Sequence, residues 1–156
     1  MLETDPFLIW RGFLFVSINI EKIIVSRRTI HYMWKIMIFA GIGGFAGTCC
    51  RFLINKLCAL LFNTPFPFAT FIINITGCFL LGLLSGFFAK QGIVSPRLNA
   101  FLIVGFCGGF TTFSTFSLES LNLGISGLMS VSMLYIAASI VLGLLAVWCG
   151  MIITNH

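Results

Sequence analysis

The sequence predicts an all-α membrane protein with four transmembrane helices, the third of them broken. The chain is 59% hydrophobic and only 8% charged, with a mean hydropathy of +1.10, whereas soluble domains carry about 25% charged residues. Between Ile36 and Ala89 the only charged residues are Arg51 and Lys56, and between Leu98 and Ile153 the only one is Glu119. About 20 apolar residues span a bilayer as a helix, so these runs have room for four spans.

The third apolar run holds an unusual polar segment. Residues 105–119 contain three glycines, four phenylalanines and six side chains with a hydroxyl or carboxyl group. Unpaired polar groups in hydrocarbon cost several kcal/mol each, so such a segment is expected only beside a cavity or a protein interface. We expect the helix to break at Gly108-Gly109, because adjacent glycines carry no steric penalty against non-helical angles.

The four spans are bounded by turn signals and charged loops. Asn63-Thr64-Pro65 predicts the first turn, Lys90 to Arg97 the second loop, and Leu121 to Gly127 the third turn. The predicted spans are Ile36 to Phe62, Phe68 to Phe88, Leu98 to about Ser120, and Leu128 to Ile153. An even number of spans places both termini on the same side of the membrane.

Small residues recur at helical spacing in these spans. Gly43 and Gly47 form a GxxxG pair, which lets another helix approach closely. The second span carries a stripe at spacing four, and the fourth span carries a shorter one. Their members are Asn74, Cys78, Gly82 and Gly86 on the second, and Tyr135, Ser139 and Gly143 on the fourth.

The segment 1–32 fits the four-span plan poorly, since its apolar run Gly12 to Ile20 is only nine residues long. One interpretation is an amphipathic helix that lies on the membrane surface. The other is that Met33 is the true first residue and that residues 1–32 do not belong to the working protein. From Met33 onward, three cations lie on the side of the termini and two toward the other side, and this weak bias favours insertion in both orientations. If the four cations before Met33 are counted as well, seven cations lie on the side of the termini and two toward the other side. We therefore expect a working protein of residues 33–156 with dual topology.

The six cysteines show no CxxC pair and no histidine at metal spacing, so they are interpreted as packing residues. The net charge of +5 does not indicate a nucleic-acid partner, because the basic residues lie at the ends of apolar runs, where they anchor helices at the membrane surface.

Three ordered motifs resemble the CrcB, or Fluc, fluoride channels over Met33 to Met151. The first is Gly43-Gly44-Phe45-Ala46-Gly47 followed by Arg51, and the second is Phe71-Ile72-Ile73-Asn74-Ile75-Thr76-Gly77. The third and most specific is Gly108-Gly109-Phe110-Thr111-Thr112-Phe113-Ser114-Thr115-Phe116-Ser117 with Glu119.

The resemblance implies an antiparallel, dual-topology homodimer in the plasma membrane, with two fluoride pathways and a structural sodium ion at the dimer centre. A dimer with a paralogous partner is the alternative. The backbone carbonyls of Gly108 and Thr111 match the positions that hold the sodium. Phe113 and Phe116 match the pore phenylalanines, and Asn74 matches the pore asparagine.

The residue types suit a small, strongly hydrated anion, whose water a pore must replace with donors. The Asn74 amide and the hydroxyls of Thr112, Thr115 and Ser117 are donors, and phenylalanine edges carry partial positive charge. For Ser114 the favoured interpretation is a bond to the preceding turn.

Simpler interpretations remain for four of these residues. Asn74 suits an interhelical hydrogen bond equally well, and Arg51 suits either a surface anchor or an anion-gathering vestibule. Tyr135 is either an interface anchor or a pathway hydroxyl, and the latter is favoured because Ser139 shares its face. Glu119 is either an ordinary interfacial acid or part of the conduction path.

Three function classes compete. Passive fluoride export needs no catalysis and no energy coupling. A small multidrug-type proton antiporter needs a carboxylate in its first helix, and the first span has none. A non-transporting anchor subunit would not need a cluster of hydroxyl groups and phenylalanines beside a break in a helix. An enzyme is not expected, because His31 and His156 lie outside the spans and there is no paired-carboxylate set.

Overall fold

The computed structural model describes residues 27–92 and 95–155, and its regular elements there are all helical. The elements are α1 (Arg27–Leu61), α2 (Phe68–Gln91), α3 (Pro96–Asn99), a π-helix (Ala100–Cys107), α4 (Gly108–Phe110), α5 (Phe113–Ile125) and α6 (Met129–Asn155). Four segments are long and apolar enough to cross a membrane: Tyr32–Leu61, Phe68–Gln91, Pro96–Ile125 and Met129–Thr154. The predicted four-span, all-α organisation is confirmed for the described residues.

The predicted division at Met33 falls mostly outside the described residues. Residues 27–32 are the first turns of α1, and the residues from Met37 onward form one compact unit. Both the surface helix and the start at Met33 therefore remain predictions.

The glycines of the first span bring the backbone of α1 directly against the third span. A Cβ added at Gly43 would collide with the carbonyl of Phe101, and one at Gly47 would collide with the carbonyl of Phe106. In the other direction, a Cβ at Gly109 would collide with the carbonyl of Gly44. The predicted close approach at this GxxxG pair is therefore confirmed, and the helix that approaches belongs to the same chain.

Helices α2 and α6 pack in the same way along their C-terminal halves. A Cβ at Gly82 would collide with the carbonyl of Val147, and one at Gly86 with the Thr154 hydroxyl. The two stripes predicted from spacing also meet, since a Cβ at Gly143 would lie 3.6 Å from the Cys78 sulfur. Small residues thus let the two helices lie in backbone contact where lipid supplies no hydrophobic drive.

The third span is interrupted, but the prediction that it breaks at Gly108-Gly109 is wrong. Both glycines are helical, and the extended residues are Thr111 (φ −76°, ψ 159°) and Thr112 (φ −148°, ψ 117°). Gly109 serves close packing on α1 instead of conformational freedom. Threonine is a weaker helix former, and its hydroxyl competes for backbone groups, so the break falls on the two threonines.

The predicted turn Leu121 to Gly127 is also too early, because α5 continues to Ile125. Two residues after this end lies Gly127, whose φ of +80° is in the region that favours glycine. The amide of Leu128 donates to the carbonyl of Leu123, and that of Gly127 to the carbonyl of Gly124, which is the Schellman pattern. Gly127 was therefore the sequence signal for the helix end.

Substituting alanine for Gly43 should destabilise the protein, because the methyl group has no room against the Phe101 carbonyl. Overpacking of this kind costs about 1–3 kcal/mol. Gly41→Ala on the same helix is the matched control, since a Cβ there meets nothing within 4 Å. Thermal unfolding in detergent should show a lower midpoint for Gly43→Ala alone. Equal midpoints for the two variants would contradict the packing described for α1.

Candidate functional site

The helix break is held by one side chain from the second span. The side-chain nitrogen of Asn74 donates to the carbonyl of Thr112 at 3.2 Å, and the amide of Thr112 donates to the Asn74 side-chain oxygen at 2.9 Å. Asn74 thereby pairs both backbone groups of the extended residue, as a neighbouring strand would. Because backbone groups left unpaired in a membrane are costly, this pair of bonds permits the break.

Thr112 also begins the helix that follows the break. Its hydroxyl accepts from the amide of Thr115 at 3.3 Å, as an N-cap residue does, and donates to the Thr115 hydroxyl at 3.0 Å. The Ser114 hydroxyl lies 3.4 Å from the same oxygen. The bond to the preceding turn predicted for Ser114 is instead made by Ser117, whose hydroxyl donates to the Phe113 carbonyl at 2.9 Å.

A cavity of about 520 Å³ lies beside the break and opens on one side. The predicted site residues that line it are Asn74, Gly108, Thr111, Thr112, Phe113 and Phe116. The two phenylalanine rings lie 5.9 Å apart at their centroids and are tilted by 42°. Phe113 is 80% exposed, so it stands at the open side of the cavity. The structure therefore brings the two motif phenylalanines and Asn74 together around one space.

Ser139 also lines this cavity, although the sequence analysis noted it only as a neighbour of Tyr135 and Gly143 on one face. Its hydroxyl oxygen is fully buried and has no hydrogen-bond partner among the described residues. Buried polar groups are nearly always paired, so this unpaired oxygen is an exception among the described residues. Its place on the polar face of the fourth span was the available sequence signal.

Glu119 accepts two hydrogen bonds from other helices. The Thr70 hydroxyl donates to it at 2.8 Å, and the Tyr135 hydroxyl donates at 2.9 Å. Tyr135 is fully buried and packs against Phe66, Phe71 and Phe116. Nothing in the sequence singled out Thr70 beyond its place one turn before Asn74. The carboxyl group thus ties α5 to α2 and α6 within the membrane region.

Four predicted residues do not line the cavity, although all are described: Arg51, Thr115, Ser117 and Tyr135. The Tyr135 hydroxyl is directed to Glu119, and the hydroxyls of Thr115 and Ser117 have partners on their own helix. Arg51 is half-buried on α1. Their predicted roles in an ion pathway stay predictions.

The break also leaves the backbone carbonyl of Gly108 without its usual helical donor. The amide of Thr112 bonds to Asn74, so it does not donate to the carbonyl of Gly108 four residues earlier. The carbonyl of Gly109, by contrast, accepts from the Thr48 hydroxyl at 3.3 Å. The carbonyl oxygens of Gly108 and Thr111 are hard ligands of the type that a monovalent cation takes. The residues present therefore fit the predicted sodium site.

These features define a multi-pass membrane protein with an open, mostly apolar cavity that carries a few polar groups, next to an interrupted span. A family model described as CrcB-like protein, Camphor Resistance (CrcB), matches residues 38–151. The chain is 45% identical over 122 residues to the fluoride-specific ion channel FluC of Flavobacterium psychrophilum, covering 78% of this chain and 98% of that protein.

Other relatives agree with this match. The chain is 42% identical over 120 residues to the fluoride-specific ion channel FluC of Methylobacillus flagellatus, covering 76% of this chain and 92% of the relative. It is 45% identical over 119 residues to the fluoride-specific ion channel FluC of Chlorobium luteolum, covering 74% of this chain and 89% of that relative. The chain belongs to the CrcB/FluC family of fluoride-specific ion channels, and these relatives are channels and not enzymes.

Replacing Tyr135 by phenylalanine should lower stability, because Glu119 then loses one of its two donors while it stays partly buried. A hydrogen bond to a charged group contributes about 1.5–3 kcal/mol. Tyr32→Phe is the matched control, since the chain's other tyrosine is exposed. Thermal unfolding should show a lower midpoint only for Tyr135→Phe. An unchanged midpoint would mean that the bond to Glu119 does not form.

Proposed function

We propose that this protein is a fluoride-selective channel that lowers cytoplasmic fluoride by passive export across the plasma membrane. The observation that carries the proposal is the cavity at the helix break, which combines Asn74, Thr112 and Ser139 with the rings of Phe113 and Phe116. In acidic surroundings HF enters as a neutral molecule and dissociates inside, and a selective leak lets the anion leave down its gradient. No energy coupling is required.

Asn74 serves the break and the pathway at once. Its side-chain nitrogen carries two hydrogens, and the carbonyl of Thr112 takes only one of them. The second N–H remains for an anion in the cavity. The two interpretations of Asn74 that the sequence left open are thus compatible in this proposal, and the bond to Thr112 fixes the direction of the free donor.

The phenylalanines provide the apolar part of the path. Ring edges carry partial positive charge from the aromatic quadrupole, so two edges can support an anion without holding it as a cationic ligand would. Phe113 and Phe116 stand close enough for one small ion to pass from ring to ring. In this proposal the two rings keep the path narrow, which should work against the larger chloride ion.

A second copy of the chain completes the pathway in this proposal. The cavity is open on one side, and Phe113 at that side is largely exposed in a single chain. An antiparallel copy, or a paralogue inserted the opposite way, would close it and give two pathways per dimer. A structural sodium ion bound by the carbonyls of Gly108 and Thr111 would fix the two breaks against each other.

Proton-coupled antiport has less support. It needs an acid that takes up and releases protons along the transport path, and the only acid within the described spans is Glu119. Both carboxyl oxygens of Glu119 are hydrogen-bonded to neighbouring helices, and the residue lies outside the lining of the cavity. Its position is that of a structural tie between helices.

Proteoliposomes that hold the purified protein should release fluoride rapidly and chloride negligibly, without a proton gradient. Phe113→Ile and Asn74→Asp should each reduce fluoride efflux sharply while the protein still elutes as a dimer, because one removes a ring edge and the other replaces the donor by a negative charge. Efflux is followed with a fluoride-selective electrode.

Phe87→Ile is the matched control, because Phe87 is an exposed phenylalanine of α2 that does not line the cavity. Its efflux should equal that of the unaltered protein. Normal efflux from both Phe113→Ile and Asn74→Asp would overturn the site assignment, and fast chloride efflux would overturn the proposed selectivity.

Dual topology is tested with reporters fused to the C-terminus of a protein that begins at Met33. One reporter is active only in the cytoplasm and the other only outside it, and both should give signal because the cations after Met33 are nearly balanced between the two sides. Signal from one reporter alone would contradict insertion in both orientations.

A further inference from the structure

Phe66 lies between two prolines in the connection from α1 to α2. Proline fixes its own φ and restricts the residue before it, so Pro65 and Pro67 limit the conformations of this segment. The carbonyl of Phe66 accepts from the Thr64 hydroxyl at 3.4 Å and from the Phe68 amide at 2.8 Å. Phe66 therefore has a well-defined backbone position, although it belongs to no helix.

The ring of Phe66 stands nearly perpendicular to the ring of Tyr135. Their centroids lie 5.4 Å apart and the rings are inclined by 79°, which is a favoured arrangement of an aromatic pair. The Tyr135 ring also contacts Phe116, at 5.1 Å and 57°. Because Phe116 lines the cavity at the helix break, a row of three rings connects the α1–α2 connection to the cavity.

The hydrogen bond from Tyr135 to Glu119 leaves one motion of the tyrosine ring open. The hydroxyl lies on the axis about which the ring turns, so this bond at 2.9 Å fixes the tip of the side chain but not the rotation of the ring. The torsion that turns an aromatic ring is intrinsically broad. The neighbours of the buried Tyr135 ring must therefore set its rotation, and Phe66 is closer to it than Phe71, at 5.4 Å against 6.4 Å.

We propose that Phe66 is a positioning residue of the ion pathway. Its ring sets the rotation of the Tyr135 ring, and Tyr135 in turn sets the orientation of Phe116 at the cavity. Only the edge of a phenylalanine ring attracts an anion, so the pathway depends on the direction in which Phe116 is turned. The effect on ion flow rests on the proposed function, whereas the orientation of the rings does not.

Ring orientation is measured first, by ¹⁹F NMR of the full-length protein with 4-fluorophenylalanine at position 116. Phe66→Leu should shift or broaden the fluorine resonance, because both rings of the row lose their support. Phe62→Leu is the matched control, since Phe62 belongs to the same connection and stacks on Phe68 at 4.8 Å. It should leave the resonance unchanged. An unchanged resonance in Phe66→Leu, or equal changes in the two variants, would overturn the proposal.

The route through Tyr135 is tested with the same fluorine label in a Tyr135→Leu protein. Without the tyrosine ring, adding Phe66→Leu should cause no further change in the resonance. A further change as large as that in the unaltered background would show that Phe66 acts on Phe116 by another route, and would overturn the proposal. Where Tyr135→Leu does not fold, the comparison of Phe66→Leu with Phe62→Leu decides the matter alone.

Ion flow is measured last, in proteoliposomes. Phe66→Leu should reduce fluoride efflux several-fold while the protein still elutes as the unaltered protein does, and Phe62→Leu should conduct normally. Normal efflux from Phe66→Leu together with a changed resonance would overturn its role in the pathway. Absence of efflux from the unaltered protein would contradict the proposed function, and the fluorine resonance would still decide whether Phe66 positions the rings.

Discussion

The paired hydrogen bonds between the Asn74 side chain and the backbone of Thr112 are the interaction on which the rest of the structure depends. They allow two residues of a membrane-spanning helix to be extended, which hydrocarbon would otherwise forbid. The interruption redirects the chain, starts α5 with its hydroxyl groups and phenylalanines, and releases the carbonyl of Gly108 from helical bonding. The cavity, the tilted rings and the residues proposed to bind sodium, Gly108 and Thr111, all lie at this one place.

Backbone contact between helices keeps this polar centre in place. Glycines bring α1 against the third span and α2 against α6, and the Glu119 carboxyl group joins α5 to both α2 and α6. A bilayer offers no hydrophobic drive for helix association, so close packing and interhelical hydrogen bonds must hold the helices together. The residues that support the break are therefore spread over every span, although the motif itself lies in the third.

The sequence predicted the four spans, the close approach at Gly43 and Gly47, and an interruption within residues 105–119. It did so because hydrophobic run length and small-residue spacing are local patterns. The position of the break was missed, since Gly108-Gly109 and Thr111-Thr112 are both plausible until the partner of Thr112 is known. That partner, Asn74, lies 38 residues away. No local pattern shows that the Tyr135 hydroxyl lies against Glu119 either, and its predicted role in the pathway stays a prediction.

The conformation of Thr111 and Thr112 in a bilayer tests this account most directly. Solid-state NMR of protein labelled with ¹³C at threonine measures the Cα and Cβ chemical shifts of both residues, with Thr115 in α5 as the helical reference. The account predicts extended-type shifts at Thr111 and Thr112, and helical-type shifts at both once Asn74 is replaced by leucine. Helical shifts at both residues in the unaltered protein would contradict it.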